Sequence, residues 1–92
     1  MALKQTAPTA SAETIGIKGL SFLIASEDDF ARFMGLSGLD IADMRERAGD
    51  PDFLGAVLDH LLSDDALLTA FCEAEGQTPK AVHIARHALG GG

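Results

Sequence analysis

Ninety-two residues suffice for one modest core, because a chain this short buries a smaller share of its surface than a larger protein does, and one core is the limit expected of them. Apolar residues make up 47% of the chain, with five Phe and neither Trp nor Tyr, which is rich for a domain of this size and leaves apolar surface for a partner. The net charge of −7 opposes non-specific attraction to nucleic acid or anionic lipid, and the longest aliphatic or aromatic stretch, Phe22-Leu23-Ile24-Ala25, is far below the roughly 20 residues that cross a bilayer.

Residues 1–11, rich in Ala, Thr and Ser, lack the apolar run that a secretory signal requires and read as a disordered lead-in. A cytoplasmic location is the expectation, and the single Cys72 agrees with it, since a secreted domain this small would usually carry paired cysteines. Strand signals are weak: no apolar run alternates cleanly over five positions, and no Asn-Gly or Asp-Gly hairpin turn occurs.

Helix signals are dense, and residues 12–89 read as one all-α domain, a compact bundle of five to six short helices. The first helix runs from 11 or 12 to 25, with Ile15, Ile17, Leu20, Phe22, Leu23 and Ile24 covering most of its circumference, so it belongs at the centre or at an interface. Ser26 then reads as an N-cap with Asp29 three residues on, in the manner of a capping box, and starts a second helix through Phe30, Phe33 and Met34. Gly38 stops it. Asp40 caps a weaker third helix over 41–48, whose thin stripe of Ile41, Met44 and Ala48 predicts a peripheral place.

Asp50 followed by Pro51 is a strong start signal, because proline at the first helical position lacks only an amide that would be unpaired anyway. The fourth helix presents Phe53, Leu54, Val57, Leu58, Leu61 and Leu62 over half its circumference. Ser63 or Asp64 caps a fifth, carrying Leu67, Leu68, Phe71 and Cys72 as far as Gly76. Thr78 and Pro79 open a sixth, over 79–89, and residues 90–92 form a glycine tail with no conformation of its own.

Sliding the chain by 38 residues sets Leu20 on Leu58, Leu23 on Leu61, Phe33 on Phe71, Gly38 on Gly76 and Met44 on Val82 without a gap. The caps register as well, Ser26 on Asp64 and Asp40 on Thr78. Two readings stay open: a three-helix unit present twice, over 19–50 and 57–88 with a pseudo-two-fold pairing of the first and fourth helices, or two amphipathic hairpins that align simply because apolar faces match.

The segments Leu36-Ser37-Gly38-Leu39, Met44-Arg45-Glu46-Arg47-Ala48-Gly49, Pro51-Asp52-Phe53-Leu54 and Val57-Leu58-Asp59-His60-Leu61-Leu62 resemble a small alphaproteobacterial family, domain of unknown function 3572, over roughly residues 19–89. The resemblance implies a bacterial protein of about this length; it carries no activity, cofactor or site residue with it.

No set of residues converges on catalysis, so the expectation is a non-enzymatic protein with no cofactor and no metal. His83 and His87 stand four apart and could share a metal ion, yet Ile84 occupies the place a metalloprotease gives to its general base, and no third ligand is near. Cys72 lies on an apolar arc beside Leu68 and Phe71, as a buried thiol does. The pairs Asp28-Asp29 and Asp64-Asp65 fall at helix starts, where carboxylates meet exposed amides. Glycines at 16, 19, 35 and 55 each cost a helix up to about 1 kcal/mol, and close packing is the return expected of them.

The sharpest feature is the sixth helix. At 100° per residue, Ala81, Val82, Ile84, Ala85, Ala88 and Leu89 fill one arc, and Lys80, His83, Arg86 and His87 fill the other. From residue 48 to 79 the only charged residues are acids, and from 80 onward there are Lys80 and Arg86 but no acid. Lys80, His83, Arg86 and His87 are therefore the candidate partner-binding residues of a protein–protein or self-association module. The alternative is a helix-turn-helix-like nucleic-acid binder, weakened by the acidic total and by the lack of Asn, Gln or a second Arg on the exposed arc. A third possibility is that the basic arc simply complements the acidic stretch before it.

Overall fold

Five helices begin on a side-chain oxygen that accepts a first-turn backbone N–H: Ser26 from Asp29 (3.4 Å), Asp40 from Asp43 (2.8 Å), Asp50 from Asp52 (2.9 Å), Asp64 from Leu67 (3.1 Å) and Thr78 from Ala81 (3.1 Å). Each bond satisfies a donor that the helix cannot pair internally, a contribution of about 1 kcal/mol. The computed structural model describes residues 8–90, and the helices are α1 (Pro8–Ile24), α2 (Glu27–Ser37), α3 (Ile41–Arg47), α4 (Pro51–Leu62), α5 (Asp65–Glu75) and α6 (Pro79–Ala88), with no strand among the described residues.

The ends follow equally local rules. Gly38 and Gly76 close α2 and α5 at φ 74° and 67°, a left-handed conformation that costs glycine nothing, and their N–H groups donate to the carbonyls of Met34 and Cys72. The reciprocal capping box expected at Ser26 and Asp29 is only half made, because the Ser26 N–H already donates to the Leu23 carbonyl. A full box forms instead at α3, where the Asp40 N–H returns a bond to Asp43 at 3.3 Å.

Two boundaries differ from expectation. α1 starts at Pro8 rather than at 11 or 12, so residues 8–11 of the expected lead-in are helical; proline is tolerated in a first turn, where its missing N–H has no intrahelical partner to lose. Residues 1–7 lie outside the described part. The glycine tail is not free at its start: the Gly90 N–H donates to His87, and its carbonyl accepts from Arg86 Nη1 at 2.6 Å.

The core is built around α4, which buries Phe53, Leu54, Val57, Leu58 and Leu61. α1 lies along it, contributing Ala12, Leu20 and Leu23, while α2 supplies Phe33, α5 supplies Leu68, Phe71 and Cys72, and α6 supplies Val82 and Ala85, followed by its C-cap Leu89. Edge-on rings tie the layers together: Phe22 meets Phe71 with centroids 5.5 Å apart, and Phe33 meets Phe53 at 6.0 Å.

α1 and α4 approach closely because α1 presents glycine. A Cβ on Gly16 would lie 2.8 Å from Leu54 Cβ, and one on Gly19 would lie 3.0 Å from Leu61 Cδ1 and 3.2 Å from Val57 Cγ1. Gly16 and Gly19 thus face the residues 38 positions further on, the meeting expected where two helices cross about an approximate two-fold axis. α2 packs on α1 as α5 packs on α4, but α6 lies across both α1 and α4 while α3 has no such place. α3 buries no residue and rests on the core through the half-buried Met44 and Ala48.

Candidate functional site

The four basic residues singled out on α6 do not act together. Lys80, His83 and His87 are exposed, whereas Arg86 is turned onto α4. Its Nε donates to Asp59 Oδ1 at 2.7 Å and its Nη1 to the Gly90 carbonyl. The guanidinium lies over Gly55, where an added Cβ would sit 3.2 Å from Nη1, so the glycine makes room for this group. The hydrogen bond to Asp59 raises the Arg86 pKa further above its ordinary value. Arg86 is thus a fastener between α6, α4 and the end of the described chain, and this one residue does pair with the acidic segment.

On the other side of α6 an apolar groove of about 200 Å³ runs along the seam with α1, lined by Ser11, Ala12, Ile15, Ala81, Ile84, Ala85 and Ala88. Ile84, one of the apolar arc of α6, is 58% exposed and forms the outer lip of the groove. The cause is the width of that arc. Val82, Ala85 and Leu89 point into the core, and Ile84 stands about 100° or more away from each of them, next to Lys80 and His87. On α1, Lys18 shares the face of Ile15, while Glu13, the only acid of that helix, is two positions from Ile15 and faces away. α6 carries no acid. The groove is lined by apolar residues and Ser11, and the helical period sets Lys80 and His87 beside Ile84 and Lys18 on the face of Ile15.

Sequence reasoning did not single out Ile15, Ala81, Ile84 and Ala88 as a group. The signal available was the position of Ile84 at the edge of its arc; what α1 adds depends on the helix crossing and cannot be seen in either helix alone.

A second hollow, about 270 Å³, opens between α2 and α4 and is lined by Phe33, Leu36, Ser37, Ala56, Asp59 and His60. His60, also not singled out from the sequence, packs edge-on against Phe33 with ring centroids 5.2 Å apart, and its Nε2 is buried without a hydrogen-bond partner. Burial, and secondly the positive charge of Arg32, hold its pKa below the ordinary 6.5.

The remaining sequence candidates are placed as follows. Cys72 is a buried free thiol whose pKa is pushed up by burial, opposite to what a reactive thiolate needs. Asp64 caps α5, and Asp28 and Asp29 lie in the first turn of α2. Among the described residues no group of three or more His, Cys, Asp or Glu is arranged to hold a metal ion, and no helix is long and apolar enough to cross a membrane.

These features define a small all-α bundle closed by its first and last helices, with an apolar seam between them that no described residue covers. Over residues 9–92 the chain matches the family described as Protein of unknown function (DUF3572), and it belongs to that family. The match reaches further toward the N-terminus than residue 19, where the sequence resemblance began, and takes in nearly all of α1. Neither a curated protein nor a solved structure matches the chain.

Proposed function

We propose that this chain is a non-enzymatic protein–protein interaction module of a bacterial cytoplasm, and that it docks its partner on the α1–α6 seam. The observation that carries this reading is Ile84, a large aliphatic side chain exposed on the lip of an apolar groove that no element of the described chain covers. The groove is below the roughly 300–1,000 Å³ typical of small-molecule pockets, and it suits one or two aliphatic side chains of another protein. Nucleic-acid binding by α6 would have to proceed without Arg86, which Asp59 holds, so few phosphates could be neutralised.

A photo-crosslinking amino acid placed at position 84 and expressed in the native cell tests the reading. A discrete protein adduct is expected at 84 and none at the exposed control position Glu73 on α5. Equal labelling at both positions, or none at 84, overturns it.

A further inference from the structure

Resting on the docking reading above, we infer that the occupant of the α1–α6 groove is an acidic amphipathic helix of another protein. Its first requirement comes from the groove floor. Ala81 to Ala88 spans about 10 Å along α6, two helical turns, so the seam receives two turns of a partner that lies along it. Aliphatic side chains spaced three or four residues apart on that partner would descend between Ile15 and Ile84 and onto Ala81, Ala85 and Ala88.

The second requirement comes from charge. The helical period puts the exposed Lys80 and His87 beside Ile84 on α6, with His83 just beyond them, and the half-buried Lys18 one turn from Ile15 on the same face of α1. No acid of α1 or α6 faces the seam, although the whole chain carries −7. Carboxylates flanking the aliphatic row of the partner therefore meet Lys80 and Lys18, while a basic partner would be drawn to the acids elsewhere on the chain.

A second copy of the chain fits less well. A two-fold pairing sets each patch against itself, which would bring Lys80 and His87 of one copy against Lys80 and His87 of the other. It would also join two bodies of charge −7.

Selection of a random 16-residue peptide display library against the full chain tests the inference. Wild-type protein is expected to enrich peptides with Leu or Ile at helical spacing flanked by Asp and Glu. Ile84→Asp should abolish their binding, and the double variant Lys18→Glu, Lys80→Glu should weaken it by about tenfold, an effect that shrinks as salt is raised. All three substitutions fall on side chains outside the buried core, so an unchanged thermal melt verifies the fold of each variant.

Enriched aliphatic peptides without an acidic bias, still lost with Ile84→Asp, would overturn the acidic partner and leave the docking reading standing. Peptides indifferent to Ile84→Asp, or no enrichment at all, would overturn both. A sedimentation experiment on the free chain supplies the remaining outcome: a dimer dissolved by Ile84→Asp would make a second copy the occupant and overturn the inference.

Discussion

α3 and α6 begin alike and end differently. Both start on a capped turn, Asp40 and Thr78 standing 38 residues apart, and both follow a glycine-terminated helix. Yet α6 sinks Val82, Ala85 and Leu89 into the core, while α3 buries nothing and leaves Ile41 55% exposed. The residues at equal offsets explain the divergence. Where α6 has Ala85, α3 has Arg47, a charge that cannot enter an apolar seam without a partner. Where α6 reaches Leu89, the earlier segment has already come to Pro51, the first residue of α4, so α3 has no length left with which to cross the bundle. The same offset relates Gly55, roofed by Arg86, to Ile17, which is 49% exposed because α3 never arrives above it. Caps decide that a helix exists; the residue that must face its neighbour decides whether it docks.

The most disruptive way to break this comparison is to give α6 the residue that keeps α3 out. Ala85→Arg places an unpaired charge at a 3% exposed site and should cost at least about 3 kcal/mol of the roughly 5–15 kcal/mol that such a domain possesses. Urea unfolding followed by circular dichroism reads the loss, and the converse change Arg47→Ala should stay within about 0.5 kcal/mol. An Ala85→Arg protein as stable as the parent would show that α6 docking contributes little.

The offset pair Val82 and Met44 sharpens the same point. Val82→Ala removes two methyl groups from a fully buried site and should cost about 2 kcal/mol, whereas Met44→Ala, at a half-buried site on a peripheral helix, should cost less than about 1 kcal/mol. Equal losses in the same unfolding experiment would place α3 inside the cooperative core.

Glycines give a contrast of opposite signs. Gly16→Ala pushes a methyl group against Leu54 Cβ, an atom that no rotamer change can move, and should destabilise by about 1–3 kcal/mol despite the better helix propensity of alanine. Gly35→Ala, in an exposed stretch of α2 with nothing within 4 Å, should instead stabilise by up to about 1 kcal/mol. Nothing in the packing explains why Gly35 is glycine.

The smallest effect concerns the side of α4 that α6 does not reach. Because the His60 pKa is lowered in the fold, the unfolded chain binds the proton first as pH falls. The His60 contribution is therefore complete above pH 6.5 and is lost as pH drops from 6.5 toward the folded-state value. The melting temperature should decline as pH falls from 6.5 toward the folded-state value, and His60→Gln should flatten that slope; an unaltered slope would assign the decline to other groups.

How much of this was legible beforehand follows from the range of each interaction. Caps and stops are settled within four residues, so the starts at Ser26, Asp40, Asp50, Asp64 and Thr78 could be read off the chain, and even the peripheral place of α3 showed in its thin stripe. The Arg86–Asp59 bond joins residues 27 positions apart, so the basic arc of α6 looked like one surface when it is divided between a fastener and a rim. Ile84 shares the apolar arc of α6 yet stays exposed, because a helical projection shows which residues share a face, not how wide a face the neighbouring helices cover. The glycines at 16 and 19 marked a close approach whose partner, α4, only the three-dimensional arrangement supplies.

The seam between α1 and α6 also bears on how the chain reaches its shape. Ala12 and Ala85 stand at nearly opposite ends of the described sequence, so this contact closes a very long loop for a helical protein, and its entropy must be met before the contact gives anything back. A nascent polypeptide emerging from the ribosome can pair α1 with α2, and then with α4, but the strip of α1 that receives α6 remains bare until residues 79–89 have been made.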